Sequence, residues 1–215
     1  MTPNRIAIAI VACIVLAVAA FYLIDRGSNK TYASPQDVFE ASRAAVQRGD
    51  MRAWCQCLTD DLRDIMSLIR IVTLTPQEEM TKEDRALAEI KLKHGLSAKY
   101  LAGLQPEAKA LFSKRAGREE ILAFAQKLLQ PVRDRNALAA DLLQADASDE
   151  ELAIFGEGKL SDVSMKGNMA VGLVTTPRQE LRMVFRKQGE GWRIDDFVLD
   201  ARAGRPVPPP GFKHP

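Results

Sequence analysis

After Ser148 the apolar residues of this chain stop recurring at helical spacing and begin to alternate, and that change of period constrains the fold most. Lys159–Met165, Met169–Thr175, Glu180–Lys187 and Trp192–Leu199 read as four strands. Gly167-Asn168 and Gly189-Glu190 supply turn residues between them. Four strands in a row, joined by short turns, make an antiparallel meander. Upstream the pattern is helical. Ser34 reads as an N-cap, Pro35 as the first helical residue and Asp37 as acidic first turn, with Gly49 ending the helix. A short helix follows from Asp50 through Trp54 to Leu58. Thr59-Asp60-Asp61 caps a third, whose apolar stripe is Leu62, Ile65, Met66 and Ile69.

The middle of the chain is also helix-rich. Thr75-Pro76-Gln77-Glu78 is a capping box with proline in the first turn, and Thr81-Lys82-Glu83-Asp84 repeats the signal. Leu87, Ile90 and Leu92 carry that helix to Gly95. Further helices read from Pro106 to Lys114 and from Arg118 to Leu143, the last broken near Pro131. Their charged residues alternate in sign, which predicts solvated faces. Helices first and one sheet last make an α+β domain spanning 34–203, with 75–143 as a helical elaboration. Residues 204–215 form a Pro-rich tail, in which Arg205-Pro206-Val207-Pro208-Pro209-Pro210 is polyproline-like.

The start of the chain is of another kind. After a short tail, 1–5, the nineteen residues from Ile6 to Ile24 carry no charge and are largely apolar. As a helix they span roughly 28 Å, close to the thickness of a bilayer's hydrocarbon core. This predicts an N-terminal transmembrane helix followed by a linker, 25–33, and a single-pass membrane protein. Two alternatives stand beside it. Ala17-Val18-Ala19 could be cut as in a signal peptide, although Phe21-Tyr22-Leu23-Ile24 prolongs the apolar run past that point. Ile10-Val11-Ala12-Cys13 looks like a lipobox, with only five apolar residues before it. Basic residues flank both ends, so charge does not set the orientation. A five-residue start resembles a signal anchor, which puts the soluble domain on the extracytoplasmic (periplasmic) side.

Composition narrows the chemistry. A net charge of +2 with no dense Lys/Arg run argues against nucleic acid. No Gly-rich phosphate loop, H-E-x-x-H or zinc-spaced Cys/His cluster is present, which argues against nucleotide and metal chemistry; no cofactor is expected. Of three cysteines one lies in the apolar run, and Cys55 and Cys57 read as packing residues. His94 sits at a helix C-terminus, where a cation is favourable. With His214 in the tail, a Ser-His-acid triad has little material.

Two segments carry a family resemblance. Ala44-Ala45-Val46-Gln47-Arg48-Gly49-Asp50 closes the first helix on a Gly-Asp pair. Glu180–Lys187 followed by Gly191-Trp192-Arg193-Ile194-Asp195-Asp196-Phe197 forms a terminal hairpin. Together they resemble the NTF2-like (SnoaL-like, cystatin-like cone) superfamily over about a third of the chain. The resemblance implies a curved sheet with helices over its concave face, leaving a pocket. The family holds isomerases and dehydratases beside carriers and non-catalytic assembly domains.

With Gly189-Glu190 as the turn, Lys187 pairs with Trp192. That register predicts Leu181, Met183 and Phe185 opposite Val198, Asp196 and Ile194 on the more apolar face. Asp196 is then the one candidate catalytic residue, a carboxylate that burial would make a general acid or base. The plainer reading solvates it or bonds it to a backbone amide. Trp192 reads as a core anchor. The expected function is a membrane-anchored, non-catalytic domain that binds a protein partner, a second copy or a small apolar ligand, including envelope assembly or scaffold roles. The alternative is a pocket enzyme of isomerase or dehydratase type.

Overall fold

The computed structural model describes residues 30–73, 82–114, 116–146, 152, 155–177 and 179–199. The chain divides after Thr31, and the fold below is that of the unit beginning at Tyr32. Among the described residues no helix is long and apolar enough to cross a membrane. The expected span Ile6–Ile24, the Thr75-Pro76-Gln77-Glu78 cap and the Pro-rich tail lie outside the described residues.

Helices come first: α1 (Pro35–Gln47), α2 (Met51–Cys55), α3 (Asp60–Thr73), α4 (Lys82–Lys93), α5 (Ala98–Ser113), α6 (Arg118–Leu128) and α7 (Arg135–Asp146). The strands β1 (Lys159–Lys166), β2 (Met169–Thr175), β3 (Glu180–Gln188) and β4 (Gly191–Leu199) follow as one antiparallel sheet in the order β1-β2-β3-β4. The domain is α+β. The first three helix starts have local causes. Ser34 Oγ accepts from the Asp37 amide at 3.1 Å, and Asp50 Oδ1 from the Ala53 amide at 3.0 Å. Thr59 Oγ1 accepts from the Leu62 amide at 3.2 Å. Gly167 and Gly189 each hold a positive φ, 61° and 63°, at the first position of a two-residue turn, which suits primed hairpin geometry.

One boundary differs clearly from expectation. α5 starts eight residues before Pro106, because Ser97 caps it through the Tyr100 amide at 3.2 Å and the helix runs on through the proline. Pro106 lacks only the one N–H that would bond the Ala102 carbonyl. The helical stretch Arg118–Leu143 is broken near Pro131, as expected, into two helices. The chain turns at Leu129–Asp134, around Pro131, and restarts where Asp134 Oδ1 accepts from the Ala137 amide at 2.8 Å.

Two hydrophobic clusters share one wall. The first joins the sheet face Ala170, Val174, Leu181, Met183, Phe185, Trp192 and Ile194 to α1, α2 and Phe155. The second lies wholly among helices, from Leu87 and Leu96 to Phe124 and Leu128. α3 gives Leu62 and Met66 to the first and Leu68 and Ile71 to the second. α7 divides likewise, Ala139, Ala140 and Leu143 against Leu138 and Leu142. Ile69, expected in the stripe of α3, is 41% exposed, because a helix buried on two sides has no single stripe. Between the sides Asp64 pairs with Arg135 at 2.6 Å. Burial raises the Asp64 carboxyl, with Arg135 and Arg63 opposing it.

The sheet core is filled by large side chains. Trp54 meets Phe155 edge-on at 5.0 Å between centroids, and Phe155 meets Phe197 at 5.5 Å. Trp192 is buried there, its amide donating to the Tyr32 carbonyl at 2.9 Å. Residues 57–59 cover the outer edge of β4: Ile194 donates to the Cys57 carbonyl and Thr59 to the Ile194 carbonyl, both at 2.8 Å. Cys55 and Cys57 are free and buried, and burial pushes the Cys55 thiol up to about 12. Both pack; neither is a reactive thiol.

Candidate functional site

Asp196 does not lie beside Met183. Lys187 pairs with Trp192 and Phe185 with Ile194 as the turn predicts, but the ladder then slips by one residue and Val184 pairs with Asp196, Met183 with Phe197. This β-bulge inserts Asp195 as an extra residue, so Asp195 and Asp196 together oppose Val184 on the face away from the sheet core. The driving force is the sequence Ile194-Asp195-Asp196-Phe197. Strict alternation would put one carboxylate on the core face and Phe197 on the other; one extra residue puts both apolar side chains on the core face and both acids opposite.

On that face the two carboxylates meet a set of cations. Arg118, the first residue of α6, donates to the Asp195 carbonyl at 2.9 Å, to Asp195 Oδ1 at 3.2 Å and to Asp196 Oδ2 at 3.1 Å. Arg186 on β3 bonds Asp195 Oδ1 at 2.8 Å and Asp61 at 2.5 Å, and Thr59 Oγ1 donates to Asp195 Oδ1 at 2.9 Å. Gln188 and Asp60 exchange two further bonds. Asp195 is 6% exposed and fully engaged. Asp196 is partly open, and its Oδ1 accepts from the Phe197 amide at 2.9 Å. Burial raises its carboxyl, while Arg118 and the Phe197 amide pull the other way. A carboxylate held by a guanidinium and an amide is placed to fix α6 to the sheet.

His94 is likewise engaged, its Nε2 at 2.8 Å from Asp141 Oδ2, which also takes Lys93 Nζ at 2.7 Å. Burial pushes the Asp141 carboxyl up, but these two bonds outweigh it and hold it below the usual range. Among the described residues no group of three or more His, Cys, Asp or Glu is arranged to hold a metal ion.

The space lies elsewhere. A cavity of about 520 Å³ opens among α3, α4, α5 and α6, and its described lining includes no residue of the sheet. Ile71, Leu96, Leu101, Leu104, Phe124 and Leu128 give it apolar walls. Ala88, Ala98, Ala102 and Ala108 also face it. Four methyl groups where larger side chains would reach across are what leave the volume open. Asp84, Lys91 and Gln105 are its polar members. Lys91 is half-buried, its ammonium donating to the Ile71 carbonyl at 3.3 Å. Leu92 on the rim is 69% exposed.

The sequence reading of the middle segment missed this cavity. The signal was present: Ala98, Leu101, Ala102, Gln105 and Ala108 recur at helical spacing, but starting the helix at Pro106 hid the first four. Comparison with protein-family models, curated proteins and solved structures finds no match to this chain.

Proposed function

We propose that this chain is a membrane-anchored, non-catalytic binding domain whose site is the apolar cavity among α3–α6, and that its ligand is a small apolar molecule. The carrying observation is a mainly apolar cavity whose lining does not include the carboxylate read from the sequence as a candidate acid or base. The cavity has the size of ligand pockets, about 300–1,000 Å³, and mainly apolar walls. Asp196, the acid-base candidate read from the sequence, is not among the lining residues and sits in a bulge, paired with Arg118. General acid-base work needs the titrating group within hydrogen-bond reach of a bound substrate. That distribution favours a binder over the isomerase or dehydratase alternative.

The NTF2-like resemblance supports the outer frame of this reading, a helix-covered sheet behind a tether. It does not supply the site, since the sheet core is filled by Trp54, Phe155, Phe185 and Phe197. The tether itself rests on Ile6–Ile24. Full-length protein should therefore pellet with membranes and stay there after carbonate extraction. A mature N-terminus at Ala20 or Phe21 would contradict the anchor and leave the cavity reading standing.

The cavity reading has its own test. Native mass spectrometry of the full chain, released from detergent, should show a non-covalent small-molecule adduct. Ala102→Trp places an indole into the cavity and should reduce that adduct at least tenfold. An unchanged adduct in this variant would show that the ligand binds elsewhere.

A further inference from the structure

Granting that the cavity is the binding site, we propose that its ligand is a single-chain lipid with an anionic head, a fatty-acid-like carboxylate, its chain between the helices and its head on Lys91. The walls argue for a flexible aliphatic chain. They are built from Ala, Leu, Ile and Val, with Phe124 as the one aromatic among the described lining residues. Specificity must then come from the few polar groups, as in most apolar pockets.

Lys91 is the group that can supply it. An ammonium has three donors, and the Ile71 carbonyl takes one. Two N–H groups are left at a half-buried position on the cavity wall, matching the two oxygens of a carboxylate. Burial lowers the hold of Lys91 on its proton, with Asp84 opposing. A bound anion would restore what burial removes, so ligand and lysine favour each other.

Asp84 also lines the cavity and repels an anion. It stands seven residues back on α4, about 10.5 Å along the helix axis. A head group in hydrogen-bond contact with Lys91 Nζ meets the cation at the closest approach, where Coulomb attraction is strongest. The expected anchor gives the ligand a source, because it holds the domain beside a bilayer.

The test uses the full chain in phosphatidylcholine vesicles and three photoreactive probes carrying the same diazirine chain: a palmitate, the matching fatty alcohol and a phosphatidylcholine. Cross-linked peptides are located by mass spectrometry. The palmitate should label α4 and α5, and the alcohol should label them at least tenfold less. Lys91→Met should lower palmitate labelling to the level of the alcohol, with an unchanged circular dichroism spectrum. Lys91→Arg, which keeps the charge, should stay within threefold of wild type. Equal labelling by acid and alcohol, or no effect of Lys91→Met, would overturn the head-group assignment while leaving an apolar cavity ligand in place. Labelling of α4 and α5 by the phosphatidylcholine probe alone would overturn it in favour of a bilayer lipid chain. Labelling by none of the three, together with no adduct in the native mass spectrum, would overturn the cavity reading as well.

Discussion

Asp195→Ala is expected to lower the unfolding free energy by about 3 kcal/mol, the lower end of what breaking a buried ion pair costs. The reason is the number of groups that share this carboxylate. Arg118 and Arg186 both bond it, Thr59 donates to it, and Arg118 also reaches its backbone carbonyl. Removing the side chain leaves two guanidiniums and a hydroxyl short of an acceptor. The loss stays at the lower end because each guanidinium is about a third exposed and keeps another acid, Asp196 for Arg118 and Asp61 for Arg186. In a domain of this size the change corresponds to a drop of roughly 6–12 °C in Tm. Urea denaturation of the full chain measures it. A loss under 1 kcal/mol would show that the node does not fasten the helices to the sheet.

Trp192→Ala is expected to cost more, about 3–5 kcal/mol, because a buried aromatic loses transfer energy and leaves a cavity that close-packed neighbours cannot fill. Trp192 sits in the sheet core beside Ile194 and Phe185, and its backbone holds Tyr32 against the edge of β4. Lys187 Nζ lies 5.8 Å from the ring centroid. A Tm within a degree of wild type would remove Trp192 from the core and mark it as a surface available for binding.

Both residues show how far local pattern reaches. The turn at Gly189-Glu190 and the pairing of Lys187 with Trp192 are legible because turn chemistry and period-2 alternation act over a few residues. All four strands fall within a residue of their expected limits, and the Ser34 and Thr59 caps do what their side chains predict. Three residues further along β4 the same reasoning fails. It carries strict alternation through Asp195-Asp196 and places Asp196 on the core face. The sign of a bulge was in the sequence: Ile194 and Phe197, three apart, cannot both face inward without an extra residue between them.

The helical layer was less legible for a tertiary reason. α3 and α7 each serve two cores, so their buried residues cover most of the helix circumference: α7 shows no stripe, and the stripe read on α3 is only part of its buried surface and includes the exposed Ile69. A cavity is harder still to read, because it is made by what is small. Ala88 on α4 and Ala102 on α5 look like ordinary helix formers until the fold sets them across one space.

We propose that the cavity, and not the Asp196 carboxylate, is where this domain meets its ligand. The most direct measurement compares Asp196→Asn with Ala102→Trp by ligand occupancy in native mass spectra of the full chain. Asp196→Asn, nearly isosteric and outside the cavity lining, should leave occupancy within twofold of wild type, while Ala102→Trp reduces it at least tenfold. Loss of the ligand in Asp196→Asn with retention in Ala102→Trp would contradict the account and return the site to the sheet.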